Sequence, residues 1–396
     1  MASASSGNLI VVQGGGPTVV VNASLGAIVS SAKGFGHVYG ACYGVEGLLA
    51  DRLVRLDAID ADSLRNLAQR PGAALGSSRR PIAADDYDLV FDVLARHDVT
   101  ALIMIGGNGM MAATASVDRA ARRRGADVQV VGVPKTVDND LEGTDRCPGY
   151  GSAARFVAQS VRDVAADVET LPVPVSIFET MGRDTGWLAG SSILARPDVT
   201  DGDAAPHGIY LPESPFDLDE LLARVDRTVR RLGWAMMVVA EGLRDAEGRD
   251  VFRSDDPAHR DEVGRGLPGN VAAHLADAVG RQLGLRCRNE KPGLCGRTAV
   301  AQVSTFDRVD AEAVGRAAVV AARDGQGGHL VALTDERGGA ERETRLVPLA
   351  EVGGLKSVPS SWIDVSESTV RSGFIDYVRP LIGGPLVEYP RLDLGA

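Results

Sequence analysis

Short apolar runs that stop at glycine or proline recur along this chain, each leading into a stretch with helical spacing. Asn8 to Val12 ends at Gln13-Gly14-Gly15-Gly16-Pro17-Thr18, and residues 19–32 read as helix. Ala101 to Ile105 is too short for a helix and stops at Gly106-Gly107, after which an alanine-rich helical pattern sets in from Met110. Val128 to Val133 repeats the strand and runs into Pro134-Lys135-Thr136-Val137-Asp138-Asn139-Asp140. Residues 173–180 do so a fourth time, ahead of Met181-Gly182-Arg183-Asp184-Thr185-Gly186-Trp187. Strand, turn and helix repeated in this order predict an α/β protein with layered parallel sheets.

The intervening pattern adds strands at His37 to Tyr43, 207–213, 234–242 and 328–334. It adds helices at Asp86 to His97, Gly151 to Glu169, Leu218 to Leu232, Val271 to Leu283 and Ala311 to Asp324, with a polar helix pair over Leu56 to Ala68. Residues 245–269 read as a polar, glycine-rich connection and residues 335–396 as irregular. A length of 396 residues favours two domains over one core, and the second is expected to start near residue 150.

Composition narrows the function classes. Hydrophobic residues at 44% and charged residues at 24% are ordinary for a globular protein. A formal net charge of −11 argues against a nucleic-acid partner, so an anionic small substrate needs a local basic pocket. Cys42, Cys147, Cys287 and Cys295 form no CxxC pair and read as reduced thiols. No apolar run approaches the ~18 residues of a membrane span, and a cytoplasmic protein without a membrane partner is expected.

Candidate chemistry collects at the strand ends. Gly106, Gly107 and Gly109 present bare N–H groups where a helix begins, which suits a phosphate. Residues 134–140 hold two carboxylates, a lysine and a hydroxyl, a mixture that does little for packing. Ala73 to Pro81 is a small-residue loop carrying Arg79 and Arg80, Glu241 stands at a strand's carboxyl end, and residues 286–297 gather four cations. Read alone, the turns and loops among these are open to a structural or solvated reading, whereas the strand-end position of Glu241 favours function over packing. Together, at one βαβ spacing, the two central turns open into the crevice outside the strand ends. The glycine turns lack Gly-Lys-Ser/Thr and GxGxxG, which speaks against a Walker loop and against a nicotinamide enzyme.

Four segments, QGGGPTVVVNAS (13–24), LGSSRRP (75–81), IGGNGMM (105–111) with PKTVDNDL (134–141), and MGRDTGWL (181–188), resemble the phosphofructokinase family, most of all its bacterial pyrophosphate-type branch. The resemblance spans roughly residues 8–330 and is supported by PESPFD (212–217) and AEG (240–242). It implies two Rossmann-like three-layer α/β/α domains: a donor domain of residues 1–150 plus about 297–396, and a sugar-phosphate domain of residues 151–296. It implies transfer from ATP or pyrophosphate to a ketose phosphate, by default fructose 6-phosphate, with Mg²⁺, in a homodimer or homotetramer. Asp138 matches the general base, with Thr136, Lys135 and Asp140 beside the transferred group. Met181, Gly182 and Arg183 match the segment on sugar and transferring phosphate, with Arg183 among its stabilising groups. Glu241 matches the acceptor of a sugar hydroxyl, and Arg288 and Arg297 two cations on the sugar's own phosphate. Gly15, Arg79, Gly107, Asn108 and Gly109 match donor-side positions, with Asn108 and Asp140 toward the metal.

The departures bear on specificity. Asn108 stands where the family usually has aspartate, so the metal must lean on Asp140 or on phosphate oxygens. Gly109 is the ATP-type residue and Lys135 the pyrophosphate-type one. The open glycine tips the expectation toward ATP, because a lysine near phosphates does not exclude a nucleotide. Gly14 replaces a usual serine, no glutamine precedes Arg297, and Pro174 replaces an arginine of many ATP users. Sedoheptulose 7-phosphate as acceptor, pyrophosphoryl transfer at the same site, and a non-catalytic sugar-phosphate sensor remain as alternatives.

Overall fold

Aliphatic residues fill the central strands without alternation, as strands covered on both faces require. The computed structural model describes residues 7–253, 270–334 and 342–390, so much of the polar connection at 245–269 and two parts of the tail lie outside the described residues. The chain begins β1 (Asn8–Gln13), α1 (Val21–Ser31), β2 (Val38–Ala41), α2 (Val45–Leu49), β3 (Leu53–Arg55), α3 (Ala61–Leu67), α4 (Tyr87–Arg96), β4 (Val99–Gly106), α5 (Asn108–Arg124) and β5 (Gln129–Pro134). Next come α6 (Tyr150–Val168), β6 (Val175–Thr180), α7 (Trp187–Ser191), β7 (Gly208–Tyr210), α8 (Leu218–Leu232), β8 (Ala235–Ala240), α9 (Val271–Leu283) and β9 (Cys287–Glu290). It continues through α10 (Cys295–Thr298), α11 (Thr305–Arg323), β10 (His329–Leu333), β11 (Thr344–Pro348), β12 (Ile363–Asp364), β13 (Thr369–Val370) and α12 (Ser372–Leu381).

These elements form two α/β units, Met1–Ser152 with Arg297–Lys356, and Ala153–Gly296 with Ser357–Ala396. In the first, the strand order is β11-β10-β5-β4-β1-β2-β3, parallel except for the two edge strands β3 and β11. Successive residues of one strand feed different cores. Leu9, Val11, Ile103 and Ile105 pack with Leu25 and Ile28 of α1 and Val314 of α11. Ile10, Val12, Leu102 and Met104 pack with Val90 of α4 and Met111 and Val117 of α5. The sheet is thus a middle layer between two helix layers, and truncating Leu25 or Ile103 to alanine should cost about 2–5 kcal/mol. Strand order reverses between β1 and β4, which places the glycine turns after Gln13 and Gly106 at the switch point.

The second unit has four parallel strands in the order β7-β8-β6-β9. Its core strands β6 and β8 are buried at every position. Thr180 and Ala240 are register partners, so the turns that follow β6 and β8 emerge side by side.

Three expectations are corrected or sharpened. Leu56 to Ala68 holds one helix rather than two, because Leu56 is buried in a turn and Asp60 caps α3 by accepting from the Asp62 and Ser63 N–H groups. Within residues 286–297, read above as a cation-bearing segment or a solvated loop, Cys287–Glu290 forms a strand paired with β6. The tail is neither irregular nor wholly part of the first unit. Past Lys356 it joins the second, where Trp362, Phe374 and Tyr377 of the tail pack around Trp187 with ring centroids 5.1–6.2 Å from its own. Arg155 and Arg162 bind its carbonyls at Ile382, Gly384, Pro385 and Val387. Among the described residues no helix is long and apolar enough to cross a membrane.

Candidate functional site

In the first unit the turn after β1 is set by two buried amides. Gln13 donates to Asn22 Oδ1 at 3.2 Å and accepts from the Leu75 N–H at 3.1 Å. Asn22 bonds the carbonyls of Arg70 and Gly72 and the N–H of Ala74. These bonds bring the 70–81 loop against the glycine turn, where Gly15 N–H donates to Ser78 O and Ser77 Oγ donates to Gly15 O. Gly15 has φ +74°, a conformation that favours glycine. A serine at residue 14 would require the Met110 side chain to move, since a Cβ there would stand 1.8 Å from its methyl.

The loop after β5 brings most of the expected chemistry to the same turn. Lys135 is 2% exposed and its ammonium donates to Gly16 O at 2.6 Å. Burial pushes its pKa down to about 8, with Asp138 opposing and Arg297 adding to the shift. Thr136 is buried, accepts from the Asp138 N–H at 3.1 Å and lies beside Gly107. Asp138 is half-buried. Asn139 adopts φ +54° and accepts from the Cys147 N–H, turning the chain so that Asp138 and Asp140 flank it.

Asn108, the first residue of α5, donates its amide to Asp140 Oδ2 at 2.8 Å. Burial raises the Asp140 carboxyl, and this amide and Thr136 pull it back. Among the described residues no group of three or more His, Cys, Asp or Glu side chains is placed to hold a metal ion. One carboxylate with a neutral amide suits Mg²⁺, which keeps most of its shell as water and phosphate oxygens. At Gly109 nothing lies within 4 Å of where a Cβ would stand, so that side is open.

Arg297 belongs to the first unit, and its Nη1 lies 2.6 Å from where a Cβ on Gly16 would stand. Burial lowers its pKa, and the charge of Arg79 lowers it further. Arg79 itself is exposed. Arg288, the expected companion of Arg297, is exposed on β9 in the second unit, so the two cations belong to different units.

In the second unit Met181, Gly182 and Arg183 follow β6 directly. Gly182 has φ +127°, and its N–H donates to Glu241 Oε1 at 3.4 Å. Burial raises the Glu241 carboxyl, and the nearby Glu179 raises it more. Glu213 accepts from the N–H groups of Gly186 and Val358 at 2.9 and 3.0 Å, fixing the far end of this turn.

Sequence reasoning missed several supports. Glu179 is 2% exposed at the end of β6, where it accepts from the Asn270 and Ala272 N–H groups and faces Lys291 at 3.3 Å. A lone carboxylate in the run VSIFET was the available signal, as was Asn22 in an otherwise apolar helix. Asp307 of α11 accepts from the N–H groups of Gly149 and Ser152 at the start of α6, and burial pushes its pKa up to about 6. Arg146 pairs bidentately with buried Asp310 at 2.6 and 3.1 Å. Lys356, half-buried, bonds the loop carrying Asp138 and Asp140, and nothing in its sequence neighbourhood announced it.

A doubly wound first unit with cations, a carboxylate and glycine N–H groups at its switch point, and a second parallel unit presenting carboxylates and an arginine, carry the kinds of groups that a phosphotransferase of the two-unit α/β class uses. The phosphofructokinase model matches residues 8–322, and the chain belongs to that family. The pyrophosphate–fructose 6-phosphate 1-phosphotransferase of Xanthomonas campestris is 35% identical over 392 residues, 96% of this chain and 92% of its own. An ATP-dependent 6-phosphofructokinase of Streptomyces coelicolor is 34% identical over 365 residues, 90% of this chain and 98% of its own. The crystal structure of a pyrophosphate-dependent phosphofructokinase from Marinobacter aquaeolei is similar with a TM-score of 0.85 at 30% identity, covering 98% of this chain and 94% of its own.

Proposed function

We propose that this enzyme moves a phosphoryl group from ATP, or from pyrophosphate, to a hydroxyl of a ketose phosphate, by default making fructose 1,6-bisphosphate from fructose 6-phosphate. The observation that carries the reading is the meeting of Lys135, Arg297 and the glycine turn in one unit, with Asp138 close enough to shift both cations' pKa values. Phosphoryl transfer asks a protein mainly to position its reactants and balance developing charge. Lys135, Arg79 and the N–H groups about Gly15, Gly107, Asn108 and Gly109 bind and orient the donor phosphates. Asp140 and Asn108 hold Mg²⁺, which screens the charge on those phosphates when bound. Asp138 takes the proton from the attacking hydroxyl, Thr136 lines its loop, and Arg183 stabilises the transferring group. Met181, Gly182 and Glu241 orient the sugar, Arg288 and Arg297 serve its phosphate, and the enzyme works in the cytoplasm as a homodimer or homotetramer.

The donor turns on two residues. The open space at Gly109 leaves room for a nucleotide. Buried Lys135 supplies charge that pyrophosphate, lacking a nucleoside to anchor it, would need. The absence of a glutamine before Arg297 favours one second reading, an acceptor with its phosphate placed differently, such as sedoheptulose 7-phosphate.

Asp138→Ala tests the base. Turnover should fall about 10²–10⁴-fold while calorimetric binding of the sugar phosphate stays nearly intact, and unchanged turnover would refute the assignment.

A further inference from the structure

The loop that bears Asp138 and Asp140 is closed by a cation outside every role given above. Lys356 donates through Nζ to Asn139 Oδ1 at 3.3 Å, Thr144 O at 3.3 Å and Asp145 O at 2.8 Å. An ammonium has three donors, and these acceptors are three neutral oxygens. One comes from the start of the loop and two from its end, so the side chain spans the loop as a bound metal ion would. The backbone of Lys356 adds a fourth tie, its N–H donating to Asp140 O at 2.9 Å, and Leu355 bridges Leu141. Asn139 sits at the centre of this arrangement. It holds φ +54°, which an asparagine adopts more readily than most residues, and its amide oxygen is shared between Lys356 and the Cys147 N–H.

The alternative of a merely stabilising buried charge fits poorly. Desolvating an ammonium is costly, and the three bonds above all end on the loop that carries both carboxylates. A fold seeking only stability would close a loop of this size more cheaply with apolar contacts. Retaining the charge is understandable if what it secures is the conformation of residues 138–140.

We infer that Lys356 is a positioning residue for phosphoryl transfer, an internal cation that fixes the backbone between Asp138 and Asp140 and so aims both carboxylates. It touches no reacting atom. The inference rests on the phosphotransferase reading, and its test separates the two.

Lys356→Met keeps the side-chain length, removes the charge and leaves three loop oxygens without this donor, so some loss of stability is expected as well. Hydrogen exchange would be followed over residues 136–147 of the full-length protein, alongside steady-state kinetics with fructose 6-phosphate, Mg²⁺, and ATP or pyrophosphate. The expected result is loop exchange about tenfold faster or more, kcat lowered by about tenfold or more, and KM for the sugar phosphate within about twofold of wild type. Leu355→Ala, at an exposed side chain, should leave all three unchanged. Unchanged loop exchange in Lys356→Met overturns the inference whatever the kinetics. Faster exchange with wild-type kcat overturns it as well. Should Lys356→Met fail to fold, Lys356→Gln is judged by the same readings. Wild-type protein silent with both donors would refute the phosphotransferase reading, and the exchange data would still decide whether Lys356 clamps the loop.

Discussion

The residues around the first unit's glycine turn and the buried carboxylates at the second unit's strand ends differ in charge. In the first unit a glycine turn is surrounded by Lys135, Arg297 and Arg79, and the lysine is buried deeply enough to weaken its own proton affinity. In the second, Glu179, Glu213 and Glu241 stand at or near the strand ends, and each accepts from backbone N–H groups. In the proposed reaction this difference would follow the reactants. Phosphate groups, the donor's and the sugar's own, need positive charge that an acidic protein must concentrate locally. A sugar needs acceptors for its hydroxyls, and a carboxylate steadied by an N–H on one oxygen keeps lone pairs for the ligand.

The contrast can be broken from either side. Lys135→Met should have the largest effect, lowering kcat/KM for the donor about 100-fold or more by leaving phosphate charge unbalanced, with KM for the sugar phosphate unmoved in initial-rate kinetics. An equal rise in both KM values would show that the two sets of residues do not divide the work this way. Gly109→Asp should cut use of ATP about tenfold more than use of pyrophosphate, because the new carboxylate crowds and repels a nucleotide. A constant donor ratio would mean the nucleotide does not pass that residue. Glu241→Gln should raise KM for the sugar phosphate about five- to tenfold and spare the donor.

The smallest effect is one of pH. With a folded pKa near 8 Lys135 is charged at neutrality, so donor KM should rise as pH passes 8. Stability moves the other way. The folded pKa lies below that of free lysine, so folding disfavours protonation, and this group's contribution grows as pH climbs from 8 toward 10.5. A flat donor KM between pH 7 and about 9 would remove Lys135 from the donor site.

What could be read from the sequence was what local pattern encodes. The runs ending at Gly14, Gly106, Pro134 and Met181 announced both sheets, because short apolar stretches cut by glycine or proline have few other folds. The mixture at 134–140 announced chemistry because it could not be core. Supports supplied from far along the chain left no local trace. Lys356 is more than 200 residues from the loop it ties, and Trp362, Phe374 and Tyr377 find Trp187 across a similar gap. The tail looked irregular for the same reason, since its aromatic residues have no period of their own and take their order from the second unit. The grouping of Arg297 with Gly16 also depends on long-range packing, which motif matching does not convey.

The most direct test is a ³¹P NMR time course on the purified protein with Mg²⁺ and fructose 6-phosphate, run in parallel with ATP and with pyrophosphate. A growing sugar bisphosphate signal is the predicted result, and the faster donor would rank the open space at Gly109 against the buried charge of Lys135. Silence with both donors, here and across a panel of ketose phosphates, would contradict the account.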